Sequence, residues 1–356
     1  MLSVNRDSFL SLVRMGIGHS SAQPDVDNWQ AIKALADKQG LTAVVADGIE
    51  KLQDTKRPPK ELLLQWIGEV MQMEARSDAQ NKAAESLGEL FHTNYIRTYV
   101  LKGAVIAECY PNPKHRLSAD MDCFLLPSES DFDAWSLGND LVRAQGYEVG
   151  DGFYKNSSFN LPGLLVENHR FMTPFRGNKK LRNMEKVLQS IISADEGENR
   201  FEGTWLYRPP VMLSALFLIE HAYSHFLHEG LTWRMVLDWI LFSKKHKKEI
   251  CWSDLDVLID EFGFRKFYDS FYQLGAYLLG EQSFENLEVK ERRMLDNIWA
   301  PLDLHESLHG VKAKFQLAGN YWRARWKYKY FTEMTWLRAL MEWVFGAVFD
   351  RHPKLD

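Results

Sequence analysis

From Asp7 to about Asn94, apolar positions recur at three-and-four spacing, so this part of the chain reads as helical. FLSLVRMG is one segment, NWQAIKALADKQG is a second that stops at Gly40, and a long run extends from Pro59 to about Phe91. The pattern changes at Tyr95. IRTYVL is short and rich in β-branched and aromatic residues, which predicts a strand ending in a turn near Gly103. AVIAECY then reads as a short helix ended by Pro111 and Pro113. After the polar loop NPKHRLSA, the run DMDCFLL predicts a second strand closed by Pro127. Ser130 to Gln145 has the caps and spacing of a helix with Gly146 as its stop, and YEVG, FYKNSSFNL and GLLVENHRF follow as three strand candidates. From Arg208 to about Gly280 helical spacing returns, in PPVMLSALFLIEHAYSHFLHEG and TWRMVLDWILFSKKHKK.

The expected fold class is therefore α+β: a small mixed β-sheet core, covered on one face by helices, between helical N-terminal and C-terminal regions. The boundaries predict three parts, a helical region at 1–94, an α/β core at 95–205 and a helical region at 206–356. Composition is that of an ordinary folded protein, with 46% hydrophobic and 26% charged residues, and so excludes a disordered or fibrous chain. A net charge of -5 gives no global attraction to nucleic acid, so a polyanion contact needs a local basic patch. Cys109, Cys123 and Cys251 are odd in number and far apart, which suits free thiols in a reducing compartment. The N-terminal residues lack signal-peptide character, and Glu333, Arg338 and Glu342 interrupt the apolar stretch from Tyr330 to Phe349. A cytoplasmic protein with no membrane span is expected.

Candidate chemistry centres on Asp120 and Asp122. Two apart in a strand, they project to one side about 7 Å apart along the chain. Two such acids raise each other's pKa unless a cation sits between them, and Mg²⁺, with Mn²⁺ as an alternative ion, suits oxygen ligands and phosphates. Acidic pairs also occur at Asp25/Asp27, Asp131/Asp133 and Asp254/Asp256, but those precede predicted helices, where acids complement the N-terminal dipole. Asp120 and Asp122 precede CFLL and have no such role. Upstream, the Lys102-Gly103 turn opens a helix whose first N–H groups could face a phosphate, with Lys102 and Arg116 adding charge. In LLVENHRF, Glu167 and His169 share one strand face, and Glu167 is a candidate metal ligand or base.

LKGAVIAECYPNPKHRLSADMDCFLL resembles a family of uncharacterised bacterial nucleotidyltransferase-like proteins, whose pattern is a leucine-lysine-glycine turn, a tyrosine-proline, an arginine and then D-x-D. VENHRF is similar to that family's acid-x-His strand, and HAYSHFLHEGLTWRMVLDWILF to its His-x-x-x-His helix followed by an Arg and an Asp four apart. The resemblance covers roughly Tyr95 to Gly280. It implies a nucleotidyltransferase core of the polymerase β type, in which three carboxylates hold two Mg²⁺ ions. Asp120, Asp122 and Glu167 would be the metal-binding acids, with Lys102, Gly103, Arg116 and His169 on the nucleotide side. The wider superfamily has Gly-Ser at the turn, whereas this chain has Gly103-Ala104, and Ser118 is the candidate replacement hydroxyl.

Two other constellations carry chemistry. His221, His225 and His228 recur on one helix face at a spacing that can hold a transition metal, which gives a metal-dependent phosphohydrolase as a rival reading. Within the resemblance, His221 and His225 are cleft candidates, together with Arg234 and Asp238, whose spacing also suits a simple ion pair. YWRARWKYKYF, Tyr321 to Phe331, interleaves cations with aromatics and suits either base stacking or an amphipathic packed helix, with packing favoured. The leading expectation is an enzyme that moves a nucleoside monophosphate from a nucleoside triphosphate to an unidentified hydroxyl on a small molecule, protein or RNA. The alternative is a nucleotide-binding or interaction protein of the same fold without chemistry.

Overall fold

A computed structural model describes residues 6–129, 131–150, 154–300, 322–349 and 355. Ser130, Phe153 and Tyr321, each part of a segment read from the sequence, lie outside the described residues. The chain is a mixed α+β protein that divides into two compact units, one built from 1–170, 196–209 and 278–281, the other from 171–195, 210–277 and 282–356. Among the described residues, no helix is long and apolar enough to cross a membrane.

The first unit opens with three short helices, α1 (Arg6–Gly16), α2 (Trp29–Gln39) and α3 (Thr42–Glu50), and the long α4 (Lys60–His92). Asn28, rather than Asp25 or Asp27, caps α2 by accepting from the Ala31 N–H, and Gly40 ends it in the left-handed region. Asp25 instead pairs with Lys56 at 2.7 Å. Gly16 and Gly48 let α1 and α3 meet backbone to backbone, because a Cβ would fall 2.0 Å from the Val44 carbonyl oxygen or 2.2 Å from that of Leu12.

Six strands follow: β1 (Ile96–Val100), β2 (Asp120–Pro127), β3 (Val149–Gly150), β4 (Asn156–Leu161), β5 (Leu164–His169) and β6 (Leu206–Tyr207). Their order is β3-β4-β5-β2-β1-β6, with β2–β5 and β1–β6 parallel and the other pairs antiparallel. AVIAECY is helical only over α5 (Ala104–Ala107). The helix α6 (Ala134–Ala144) is capped by Asp133, whose carboxylate accepts from the Ser136 N–H. It packs closely on β2, where a Cβ at Gly138 would fall 2.4 Å from Leu125 Cδ1. Asn139 Oδ1 accepts from Ser157 and Asn168, which joins α6 to β4 and β5 through buried polar groups.

The second unit contains α7 (Lys179–Ser193), α8 (Val211–His228), α9 (Trp233–Lys245), α10 (Trp252–Phe262), α11 (Arg265–Leu279, whose last two residues belong to the first unit) and α12 (Val289–Trp299). A helix at 322–331, α13, and α14 (Trp336–Phe349) complete it. The helix α7 was not expected from the sequence. Nor was β6, which lies just past residue 205 and completes the sheet beside β1.

Candidate active site

Gly103 sets the turn after β1 at φ 61° and ψ −101°, a conformation that only glycine adopts readily. A Cβ there would stand 3.2 Å from Ser118 Oγ and 3.7 Å from the Asp120 carbonyl oxygen. The bare backbone thus lets the turn lie against the start of β2. Ser118 Oγ donates to that same Asp120 carbonyl at 2.9 Å, and buried Arg116 places Nη1 3.5 Å from the hydroxyl. Lys102, Gly103, Arg116, Ser118 and Asp120 therefore converge where β1 ends and β2 begins.

The parallel register sets Asp122 directly beside Glu167. His169, further along β5, turns its Nε2 to Asp122 Oδ1 at 3.0 Å and to Glu167 Oε2 at 3.5 Å. Lys102 Nζ approaches the other Asp122 oxygen at 3.0 Å, and Asn156 of β4 donates to Glu167 Oε2 at 2.8 Å. Asp122 and His169 are buried, whereas the Glu167 side chain is 33% exposed. Burial works to lower the His169 pKa, but hydrogen bonds to Asp122 and Glu167 outweigh it and leave it raised. The His169 hydrogen bond in turn holds Glu167 below the usual carboxylate range, against its own partial burial. Asp120 is pushed up, first by burial and then by the charge of Asp122, with Lys102 opposing. The oxygen-rich donor set suits a divalent cation: one ligand atom each from Asp122, Glu167 and His169 lie within 4.8 Å of one another. The tight group thus contains His169 where the sequence placed Asp120.

A cavity of about 450 Å³ lies at this end of the sheet, bordered by Gly103, Arg116, Ser118 and Asp120 and by Arg76 and Gln80 of α4. Glu108 and Arg208, also in its wall, form a two-pronged ion pair at 2.8 and 2.7 Å. Lys102, Asp122, Glu167 and His169 are not among its walls. Asn156, Gln80 and Arg208 escaped the sequence reading because no motif marks them.

The loop carrying Arg116 and Ser118 is clamped by its neighbour His115. This buried imidazole meets Asp47 of α3 at 2.8 Å through Nδ1 and Glu74 of α4 at 3.1 Å through Nε2, with the Asn112 amide 2.9 Å from the same Nε2. Lys114 adds a bridge to Asp78 of α4 at 2.8 Å. Burial works to lower the His115 pKa, but the Asp47 and then the Glu74 carboxylates leave it raised. A histidine raised on folding stabilises fully below its unfolded pKa of about 6.5, and that contribution is lost as pH rises through the folded value. The melting temperature of the wild type is therefore expected to fall relative to that of His115→Gln as pH rises above about 6.5, as thermal unfolding at matched ionic strength would show.

The remaining sequence candidates lie in the second unit. His221 and His225 on α8 have ring centroids 4.4 Å apart, His225 Nδ1 is 2.8 Å from Glu229, and His228 Nδ1 contacts the Ser224 carbonyl. Arg234 and Asp238 on α9 face each other at 3.8 Å. Among the described residues, the metal-ligand group formed by Asp122, Glu167 and His169 excludes this histidine helix.

A six-stranded mixed sheet with helical flanks is consistent with a nucleotidyltransferase core. The chain belongs to the uncharacterised nucleotidyltransferase family, whose model matches residues 25–280. No curated protein and no solved structure matches it.

Proposed function

We propose that this protein transfers a nucleoside monophosphate from a nucleoside triphosphate to a hydroxyl acceptor, on a core of the polymerase β type. The observation that carries the reading is the pairing of Asp122 beside Glu167 in register, two residues from Asp120, whose carbonyl lies against the Gly103 turn. In the transfer, the acceptor oxygen forms a bond to the α-phosphorus, the bond to the bridging oxygen breaks, and pyrophosphate leaves. Asp120, Asp122 and Glu167 would hold Mg²⁺, which would neutralise charge developing on the phosphates. Glu167, the most open of the cluster that also includes Asp122 and His169, would receive the acceptor's proton. Arg116, Lys102 and the Gly103 turn would orient the triphosphate, with the cavity holding the rest of the nucleotide.

A second reading, a nucleotide-binding protein without chemistry, is favoured by Ala104 beside Gly103 and by the engagement of the Ser118 hydroxyl with the Asp120 carbonyl. One experiment separates the two. Each α-labelled triphosphate is incubated with the protein, Mg²⁺ or Mn²⁺ and a cell extract. Transfer predicts a labelled product and released pyrophosphate. Metal-dependent binding without either leaves the second reading.

A further inference from the structure

The cation-rich aromatic segment near the end of the chain divides into two faces once folded. Ala324, Lys327, Tyr328 and Phe331 of α13 are buried at three-and-four spacing. Phe331 meets Phe226 edge-on at 4.9 Å, and Lys327 donates to the Phe226 carbonyl near the end of α8. Packing therefore accounts for this face.

It does not account for the other. Trp322 is 55% exposed, Arg323, Arg325 and Lys329 are exposed, and Trp326 is half-buried. The Arg325 guanidinium lies 4.3 Å from the Trp322 ring centroid, and Trp336 meets Trp322 at 5.5 Å with the rings nearly perpendicular. These side chains border a groove of about 960 Å³ to which Lys266 and Arg293 add further cations. Among the described residues that line it, Glu333 is the sole carboxylate, and it is paired with Lys180. An acidic chain of net charge -5 thus concentrates positive charge and open indole surface in one groove.

We propose that this groove binds single-stranded nucleic acid. Phosphates would meet Arg323, Arg325 and Lys329, and a base would stack on the Trp322 indole, the pairing by which cationic aromatic grooves hold single strands without reading sequence. Charge complementarity alone would admit any polyanion. The exposed indole beside an arginine is what favours one that carries flat bases. The site is independent of the nucleotidyl transfer proposed above, because the test reads binding alone.

The test measures fluorescence anisotropy of a labelled short RNA oligonucleotide with the full chain, using inorganic polyphosphate and a poly-glutamate peptide as competitors. Trp322→Ala is expected to weaken binding about ten-fold. Arg323→Ala combined with Arg325→Ala is expected to reduce the slope of log affinity against log salt by about 1.4, the single-strand value for two phosphate contacts. All three side chains are exposed, so the variants should melt with the wild type. Equal affinity for wild type and Trp322→Ala, competition by polyphosphate or poly-glutamate as effective as that by unlabelled RNA, or no binding at moderate salt would each overturn the proposal.

Discussion

Asp122→Asn is expected to lower metal-dependent pyrophosphate release by about a thousand-fold or more, because it removes charge at the point where metal and phosphate charge must be balanced. Asparagine keeps the size of the side chain and can still offer one oxygen to Lys102 or His169. It cannot serve both cations as a carboxylate does, at 3.0 Å on each oxygen. Leaving buried His169 and half-buried Lys102 without their shared carboxylate also destabilises the fold, by an amount that reaches about 3–5 kcal/mol when one member of a buried pair is removed. Lost activity alone would therefore be ambiguous. Glu167→Gln resolves this, since its side chain is one-third exposed and its Asn156 contact can be kept through the amide oxygen. It should melt close to the wild type and still lose transfer. If both variants stay folded and release pyrophosphate at wild-type rates, the acids do not perform the reaction.

How far the site was legible in the sequence follows from the range of each interaction. The strands β1 and β2, the Gly103 turn between them and the polar alternation of β5 are local patterns, and DMDCFLL and LLVENH show them directly. The side-by-side placement of Asp122 and Glu167 is set by parallel pairing between segments separated by a helix and two strands, so sequence could name both acids but not their register. That His169 shares a strand face with Glu167 is readable in the sequence. Its engagement with Asp122, 47 residues earlier, is not. His115 stood in a polar loop with nothing to mark it, since its partners Asp47 and Glu74 lie 68 and 41 residues away. The two residues of β6 were too short for periodicity, and tertiary pairing alone makes them a strand. Tyr321 to Phe331 allows two readings because cations alternate with aromatics, and the helix at 322–331 buries one face and exposes the other.

Trp66→Ala is expected to cost about 3–5 kcal/mol, the usual range for emptying a large aromatic site in a core. Trp66 is fully buried on α4, and its indole N–H donates to the Thr42 carbonyl at 2.9 Å, tying α4 to the start of α3. Lys33 of α2 lies 5.6 Å from the ring centroid and pairs with Asp37 at 2.7 Å and with Glu69, so three helices meet at this one side chain. Truncation leaves a cavity and removes the tie from α4 to the Thr42 carbonyl. Trp66→Phe keeps most of the packing and isolates the hydrogen bond, for which a loss of about 0.5–1.5 kcal/mol is expected. A typical domain has only about 5–15 kcal/mol of net stability, so the alanine variant should unfold at a much lower urea midpoint with the slope unchanged. The effect extends to the candidate site, because α4 carries Trp66 and, further along, the cavity residues Arg76 and Gln80, and its Glu74 holds His115 beside Arg116. Nucleotide affinity of the folded fraction should therefore fall in Trp66→Ala more than in Trp66→Phe. A midpoint shift equivalent to less than about 1 kcal/mol would show that α4 is held by its other contacts, and would remove Trp66 as the anchor of the cavity wall.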